Sequence, residues 1–262
     1  LLSNMNHEFR TPLTSIITFS ELISEDPDVA GQFAGRILGG GKRLLYTLNT
    51  VMDFAELEGG SKSATPKSTH PGEVVRSVTS NFQERAHKEG IDLSADVSGQ
   101  VGTSFLDEHL LERTLIHLVH NAIKFTEGEA ATEGKAATED GEVAENGAAA
   151  TSGAVTVFAR VPGEAAGTTP STTAGNTTGD AVEIGVEDTG VGIDPDFLPR
   201  VFDEFAQQST GSDRTHEGNG LGLTIAKRFV EKMGGAINVE SEPGTGTVVT
   251  VRLPGVPTSS ED

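Results

Sequence analysis

The stretch NHEFRTPLT, residues 6–14, decides how the N-terminal part of this chain is read. It sets one histidine beside an acid, with a threonine one helical turn on and a proline close behind. Met5, Phe9, Ile16 and Ile23 fall within about a 40° arc when successive residues are rotated by 100°, and Leu13 lies at its edge. His7 lies on the opposite side, with Thr11 and Thr14 near it, so an amphipathic helix that exposes His7 is expected. Pro12 removes the hydrogen bond to the Glu8 carbonyl and should bend or loosen that turn. A turn around EDPD (25–28) leads into a second helical run over about 28–58. Its apolar positions are Phe33, Ile37, Leu44, Leu45, Leu48, Met52 and Ala55 or Leu57. Two such helices are too thin to bury both stripes. Pairing of two hairpins into a four-helix bundle resolves this, and a homodimer is expected. Gly39, Gly40 and Gly41 interrupt the second helix at about 1 kcal/mol each relative to Ala, and nothing in the sequence accounts for them.

Composition narrows the function classes. The chain has 262 residues, no cysteine and a formal net charge of −20. Absence of cysteine excludes disulfides, thiolate catalysis and cysteine-based metal sites. The acidic balance argues against a nucleic-acid backbone as partner, which would need a surplus of Lys and Arg. No run of 18 apolar residues occurs, so no membrane contact is expected of this piece, which is assigned to the cytoplasm. A start at Leu1, six residues before His7, predicts a piece of a longer protein, and a membrane anchor in that parent stays open.

The remainder reads as one α+β unit. GGSKSATPKS (59–68) resembles a linker. Helices are expected at about 71–89, 107–125 and 220–233. Strands are expected at about 91–97, 154–160, 181–188, 236–241 and 246–253. Segments 127–153 and 161–180 consist of Glu, Ala, Gly and Thr and offer little to bury. Both are predicted to be disordered or loosely structured inserts, with a helical, alanine-rich piece within the first as the lesser alternative, and the second an overgrown loop between antiparallel strands. The fold class is therefore multidomain: an all-α hairpin, four helices on dimerisation, followed by an α+β sandwich.

Several short motifs bear on chemistry. DTGVGI (188–193) follows a strand, and GNGLGL (218–223) opens a helix whose free N–H groups and dipole favour a phosphate. No Walker A sequence is present. In HNAIKFT (120–126), Asn121 offers an amide oxygen of the kind Mg²⁺ accepts, and Lys124 lies one turn on as a phosphate partner. SEPGTGTVVTV (241–251) places a Gly-Thr-Gly-Thr turn between two strands.

In this order the segments resemble the core of a bacterial two-component sensor histidine kinase. HEFRTPLT is similar to the H box, HLVHNAIKFT to the N box and DTGVGI to the G1 box. VFDEFAQ is similar to the F box, GNGLGL to the G2 box and EPGTGT to the last glycine box. The resemblance implies a dimerisation and histidine-phosphotransfer domain at 1–60 and a linker at 61–69. It implies an ATP-binding domain of the gyrase, Hsp90 and MutL type at 70–256, with a short tail at 257–262. It further implies ATP and Mg²⁺ as cofactors and the receiver domain of a response regulator as partner.

Residue roles follow from the same resemblance. His7 is the phosphoacceptor, Glu8 the acid that orients or deprotonates it, and Thr11 the residue that assists phosphatase work. Asn121 is the Mg²⁺ ligand, Lys124 a phosphate contact and Asp188 the acceptor of the adenine amino group. Gly190, Gly192, Gly218, Gly220, Leu221 and Gly222 line the nucleotide pocket, with Thr247 at its adenine end. Residues of about 203–217 form a lid anchored by Phe202 and Phe205, with Arg214 reaching phosphate. One departure stands out: His117 occupies the place of the first N-box asparagine and is held open as a phosphate or metal contact. A degenerate ATP-binding scaffold and a gyrase- or Hsp90-type ATPase remain the alternative readings.

Overall fold

In the computed structural model, residues 2–59, 63–133, 153–162, 181–208 and 220–255 are described; the side chains of 2–7 and 127–133 are excluded. Helix α1 (Leu2–Glu25) carries Pro12 inside it and ends before a short 3-10 turn at Pro27–Val29, where the Asp26 side chain accepts the Asp28 N–H. Helix α2 (Ala30–Glu58) runs back along α1. The hairpin is keyed by Phe19 stacked on Phe33 at 5.1 Å between ring centroids.

The glycine run now has a partial explanation. A Cβ at Gly40 would stand 3.0 Å from Ile16 Cγ1 and 3.3 Å from the Pro12 carbonyl oxygen, so this position lets α2 approach α1 closely. Gly39 and Gly41 have open space around them, and nothing in the structure accounts for those two.

The second unit begins earlier than expected. Strand β1 (Lys67–Thr69) lies inside the stretch read as linker and pairs antiparallel with β3 (Ser104–Leu106), another strand not anticipated. Three-residue strands, Lys-Ser-Thr and Ser-Phe-Leu, are too short to carry a periodic signal. They form because Asp107 clips the segment: its carboxylate accepts from the Thr65 N–H at 2.8 Å and from the Leu110 N–H at 3.1 Å, capping the next helix.

Helix α3 (Pro71–Lys88), β2 (Ile91–Val97), β4 (Gly153–Arg160), β5 (Val182–Asp188), α5 (Gly222–Lys232), β6 (Ala236–Glu242) and β7 (Gly246–Leu253) lie where the patterning puts them. Helix α4 (Glu108–Glu133) extends past its expected end at 125 into the first insert. Glu and Ala are strong helix formers, and the backbone ladder continues beyond the buried Thr126. Residues 134–152 and 163–180, the rest of the two inserts, lie outside the described residues.

The five main strands are ordered β2-β4-β5-β7-β6, with β2 and β4 parallel and the other pairs antiparallel. Helices α3, α4 and α5 pack on the sheet. Leu111, Leu115, Leu118, Val119 and Ile123 of α4 meet Val155, Val157, Ile184, Val186 and Val251 in one buried core. Val249 also packs in this core.

The hairpin keeps an open apolar face. Leu38, Leu45 and Met52 recur every seventh residue along α2 and are 57, 58 and 60 % exposed, with Leu48 beside them and Leu13 and Ile17 on α1. Phe33, Ile37 and Leu44, by contrast, are partly covered.

Replacing Gly40 with Val should lower the thermal stability of the hairpin, by about 1–3 kcal/mol for a forced overpacking. Gly39→Ala should raise it by up to about 1 kcal/mol. Thermal unfolding followed by circular dichroism reads both, and equal effects at the two positions would contradict the close-approach assignment.

Candidate functional site

The β5 strand ends on Asp188, which is buried and whose Oδ1 accepts the Gly190 N–H at 2.9 Å. Burial pushes this carboxyl up to about 6; backbone N–H groups of Gly190 and Thr247 oppose the shift and Glu187 adds to it. The loop that follows turns tightly against its neighbours. Gly190 lies where a Cβ would meet the Phe125 carbonyl oxygen at 2.7 Å. Gly192 has φ +69°, and a side chain there would strike the Glu242 carbonyl. Ser241 ties this loop to the last glycine turn: it accepts the Ile193 N–H, donates to the Gly246 carbonyl and shares a 2.8 Å bond with the Thr247 hydroxyl. Asp188 and Thr247 are direct register partners across β5 and β7. The two residues expected at the adenine end therefore stand side by side.

Across the pocket, Asn121 projects from α4 toward the N-terminus of α5. Its amide nitrogen and oxygen would stand 3.3 and 3.5 Å from a Cβ at Gly222, so a larger residue at 222 would crowd it. Gly220 has φ +63°, and its carbonyl accepts the Phe205 N–H at 3.1 Å, closing the base of the expected lid. Phe205 is itself a non-glycine at φ +60°. Thr224 donates to the Phe202 carbonyl at 3.0 Å, fixing the same, leading end of that segment to α5. Leu221 is fully buried rather than lining open space, in a cluster with Ile225 and Phe229. Lys124 places its ammonium 4.9 Å from the Phe125 ring centroid. Arg214 and Gly218 lie outside the described residues.

On the hairpin, the backbone of His7 is helical as expected, but its side chain and hence its exposure lie outside the described part. Glu8 is half-buried and Pro12 buried. Thr11 lies one turn from His7, and its carbonyl accepts from the Ser15 hydroxyl.

His117 does not serve the nucleotide pocket. It is 2 % exposed, with Nε2 at 2.9 Å from Asp53 Oδ2 and Nδ1 at 3.2 Å from the Tyr46 hydroxyl, so both ring nitrogens are engaged with α2. The expectation that it remains open to phosphate or metal is corrected accordingly. His120 stacks on Tyr46 with centroids 3.7 Å apart, and its Nδ1 is buried without a partner. Burial, aided by Arg85 and Lys124, holds its pKa well below the ordinary value. With both ring nitrogens engaged on α2, His117 has none to share with His120 at a metal. Among the described residues no group of three or more His, Asp or Glu gathers as a metal cluster.

Sequence reading missed Tyr46, Asp53 and Arg113. Tyr46 and Asp53 lie on a polar face of α2 whose buried residues are Thr47, Thr50 and Asp53, and that burial shows only in the structure.

Comparison with known proteins agrees with this geometry. Residues 106–257 match the family model described as histidine kinase-, DNA gyrase B- and HSP90-like ATPase. Residues 1–60 match the His kinase A phospho-acceptor domain. Among curated relatives, the sensor histidine kinase RcsC of Escherichia coli is 28% identical over 97% of this chain and 23% of its own length. The sensory/regulatory protein RpfC of Xanthomonas campestris is 31% identical over 97% of this chain and 31% of its own. The chain thus spans less than half the length of these relatives. Full-length ShkA, solved in complex with AMPPNP, aligns with TM-score 0.59 at 27% identity over 97% of this chain and 45% of that one. ThkA, solved with the response regulator protein TrrA, shares the fold at TM-score 0.60 and 19% identity, over 98% of this chain and 62% of that one. No helix among the described residues is long and apolar enough to cross a membrane. With a phospho-acceptor helix pair followed by an ATP-binding sheet domain, the chain belongs to the sensor histidine kinases of two-component systems.

Proposed function

We propose that this chain transfers the γ-phosphoryl group of ATP to His7 and from there to an aspartate on the receiver domain of a response regulator. The observation that carries the reading is the conjunction of the Asp188–Thr247 pocket, the Asn121–Gly222 contact at a helix N-terminus, and the HEFRTPLT helix in one chain.

Asp188 accepts the adenine amino group, with the glycine turns shaping the walls. The N-terminus of α5 and Lys124 balance charge on the triphosphate. Mg²⁺, when bound, would shield the phosphate oxygens; the Asn121 amide fits it, because it offers an oxygen beside Gly222 at the start of α5, whereas both ring nitrogens of His117 are engaged on α2. A ring nitrogen of neutral His7 attacks the γ-phosphorus, forming a P–N bond as the P–O bond to ADP breaks, and Glu8 takes the proton from the other nitrogen. Thr11 assists hydrolysis of the phosphorylated partner. The open Leu38, Leu45 and Met52 stripe supports a homodimer, in which a second hairpin covers it. Dependence on ATP and on a receiver domain puts the reaction in the cytoplasm.

Incubation with γ-labelled ATP and Mg²⁺ should place acid-labile, alkali-stable label on the protein, and His7→Gln should carry none. ATP hydrolysis without label would favour the ATPase alternative instead.

Asp188 gives a pH dependence. Its folded pKa, about 6, is above the ordinary 3.8, so the folded state binds the proton more tightly. Stability of the nucleotide-free protein should therefore decline as pH rises from about 4 to about 6. Nucleotide binding runs the other way, because the ionised carboxylate is the adenine acceptor. Affinity should weaken by about tenfold per unit below pH 6, and titration of a fluorescent nucleotide between pH 5 and 8 measures this. An affinity flat across that range would remove Asp188 from the adenine site.

A further inference from the structure

The polar face of α2 is where an ordinary helical hairpin would need none. Thr47, Thr50 and Asp53 are the buried residues of that helix, at 5, 1 and 8 % exposure. Thr47 and Thr50 satisfy themselves on backbone carbonyls one turn back. Asp53 is different, because its partners come from the ATP-binding domain. It bonds His117 and pairs with Arg113, which also reaches Glu56 at 2.9 Å. Burial alone would raise the Asp53 pKa, but the bonds from His117 and Arg113 outweigh it and keep the carboxyl below its usual range. Tyr46 completes the contact with its hydroxyl on His117 and its ring against His120. Further along, Arg228 bridges Glu58 and Glu204, and Phe54 meets Phe205 edge-on at 6.0 Å.

These contacts have an order. Arg113 meets residues 53 and 56 of α2, His117 meets 53 and 46, and His120 meets 46. Helix α4 therefore climbs α2 in the antiparallel sense, and Asn121, next after His120, arrives at the height of Tyr46. The α1–α2 hairpin has its own register, set by Phe19 on Phe33 and by Gly40 against Pro12 and Ile16. Continued toward the start of α1, that register brings His7 opposite about residue 46, since both helices advance about 1.5 Å per residue. The phosphate end of the nucleotide pocket and the phosphoacceptor therefore stand at one height on the bundle.

We infer that Tyr46, Asp53 and His117 are positioning residues for phosphoryl transfer, a latch between α2 and α4 that sets the height of the nucleotide site on the bundle level with His7. None of the three touches nucleotide; they act through the placement of Asn121 and the N-terminus of α5. A displacement of one helical turn, about 5 Å, would move the γ-phosphate out of attack distance. The departure of His117 from the family's asparagine is thereby given a use. The inference rests on the kinase reading above.

The test uses Tyr46→Phe, which keeps the ring and loses the hydroxyl, and the pair Asp53→Asn with His117→Gln, which keeps polar groups but removes charge and ring. Autophosphorylation at saturating ATP should fall about tenfold or more in the pair and less in Tyr46→Phe. KM for ATP and fluorescent-nucleotide affinity should stay within about twofold, because the pocket is intact. A fall in affinity matching the fall in rate, or rates equal to wild type, would overturn the inference. A second arm needs no activity. The chain has no cysteine, so spin labels on Cys introduced at exposed Gln32 and Asp96, in chains mixed with a large excess of unlabelled chain so that a dimer holds one labelled copy, report the hairpin-to-domain distance within one subunit. Wild type should give one narrow distribution and the latch pair a broad one; identical distributions would also overturn the inference. If wild type takes no label on His7, the kinase reading fails while the distance arm still judges the latch.

Discussion

Helix α4 is held by three neighbours at once, and the phosphate chemistry depends on how its surface is shared among them. One face is apolar and sinks into the sheet through Leu111, Leu115, Leu118 and Ile123. The opposite, polar face carries Asn121 toward Gly222 and the start of α5. The same face, earlier along the helix, brings Arg113, His117 and His120 onto α2. The apolar face supplies the driving force, at roughly 25 cal/mol per Å² buried, and fixes the helix on the sheet. The polar face then has no rotational freedom left. Residues four apart lie one above the other on it, so His117 meets the hairpin one turn before Asn121 meets the start of α5.

The polar contact with α2 explains why the interface between the two units is charged as well as greasy. An apolar contact alone is tolerant of sliding, whereas a buried carboxylate held by a guanidinium and an imidazole is satisfied in one register only. Phe54, Leu57, Phe205 and Phe229 contribute area to the same interface. Asp53 and His117 contribute its registration. Phe205 belongs both to this interface and to the base of the expected lid, so the lid segment and the hairpin share an anchor.

Much of this was legible in the residue order. Alternation marked β2, β4, β5 and β7 within a residue or two because each has one face in a common core. The paired helices followed from apolar spacing alone. Strands β1 and β3 were not legible, since they exist through the Asp107 clip and not through any pattern of their own. The continuation of α4 to Glu133 is the lesser of the two readings that the first insert allows, because low apolar content favours a loop, whereas Glu and Ala propagate a helix already begun. In the site, Asp188, Asn121 and the glycine turns could be found from motif and resemblance. The use of His117 could not, because a buried polar contact between distant helices leaves no local signature. Tyr46 and Asp53 sat within an otherwise ordinary amphipathic run, and only the partner helix gives them meaning.

The central claim is that this chain makes a phosphohistidine at residue 7. Phosphorus NMR of the protein after incubation with Mg-ATP, followed by fragmentation mass spectrometry under neutral conditions, tests it most directly. The account predicts a phosphoramidate resonance with the phosphoryl group on His7 alone. A phosphoryl group on another residue, or ADP formation with no P–N signal, would contradict it.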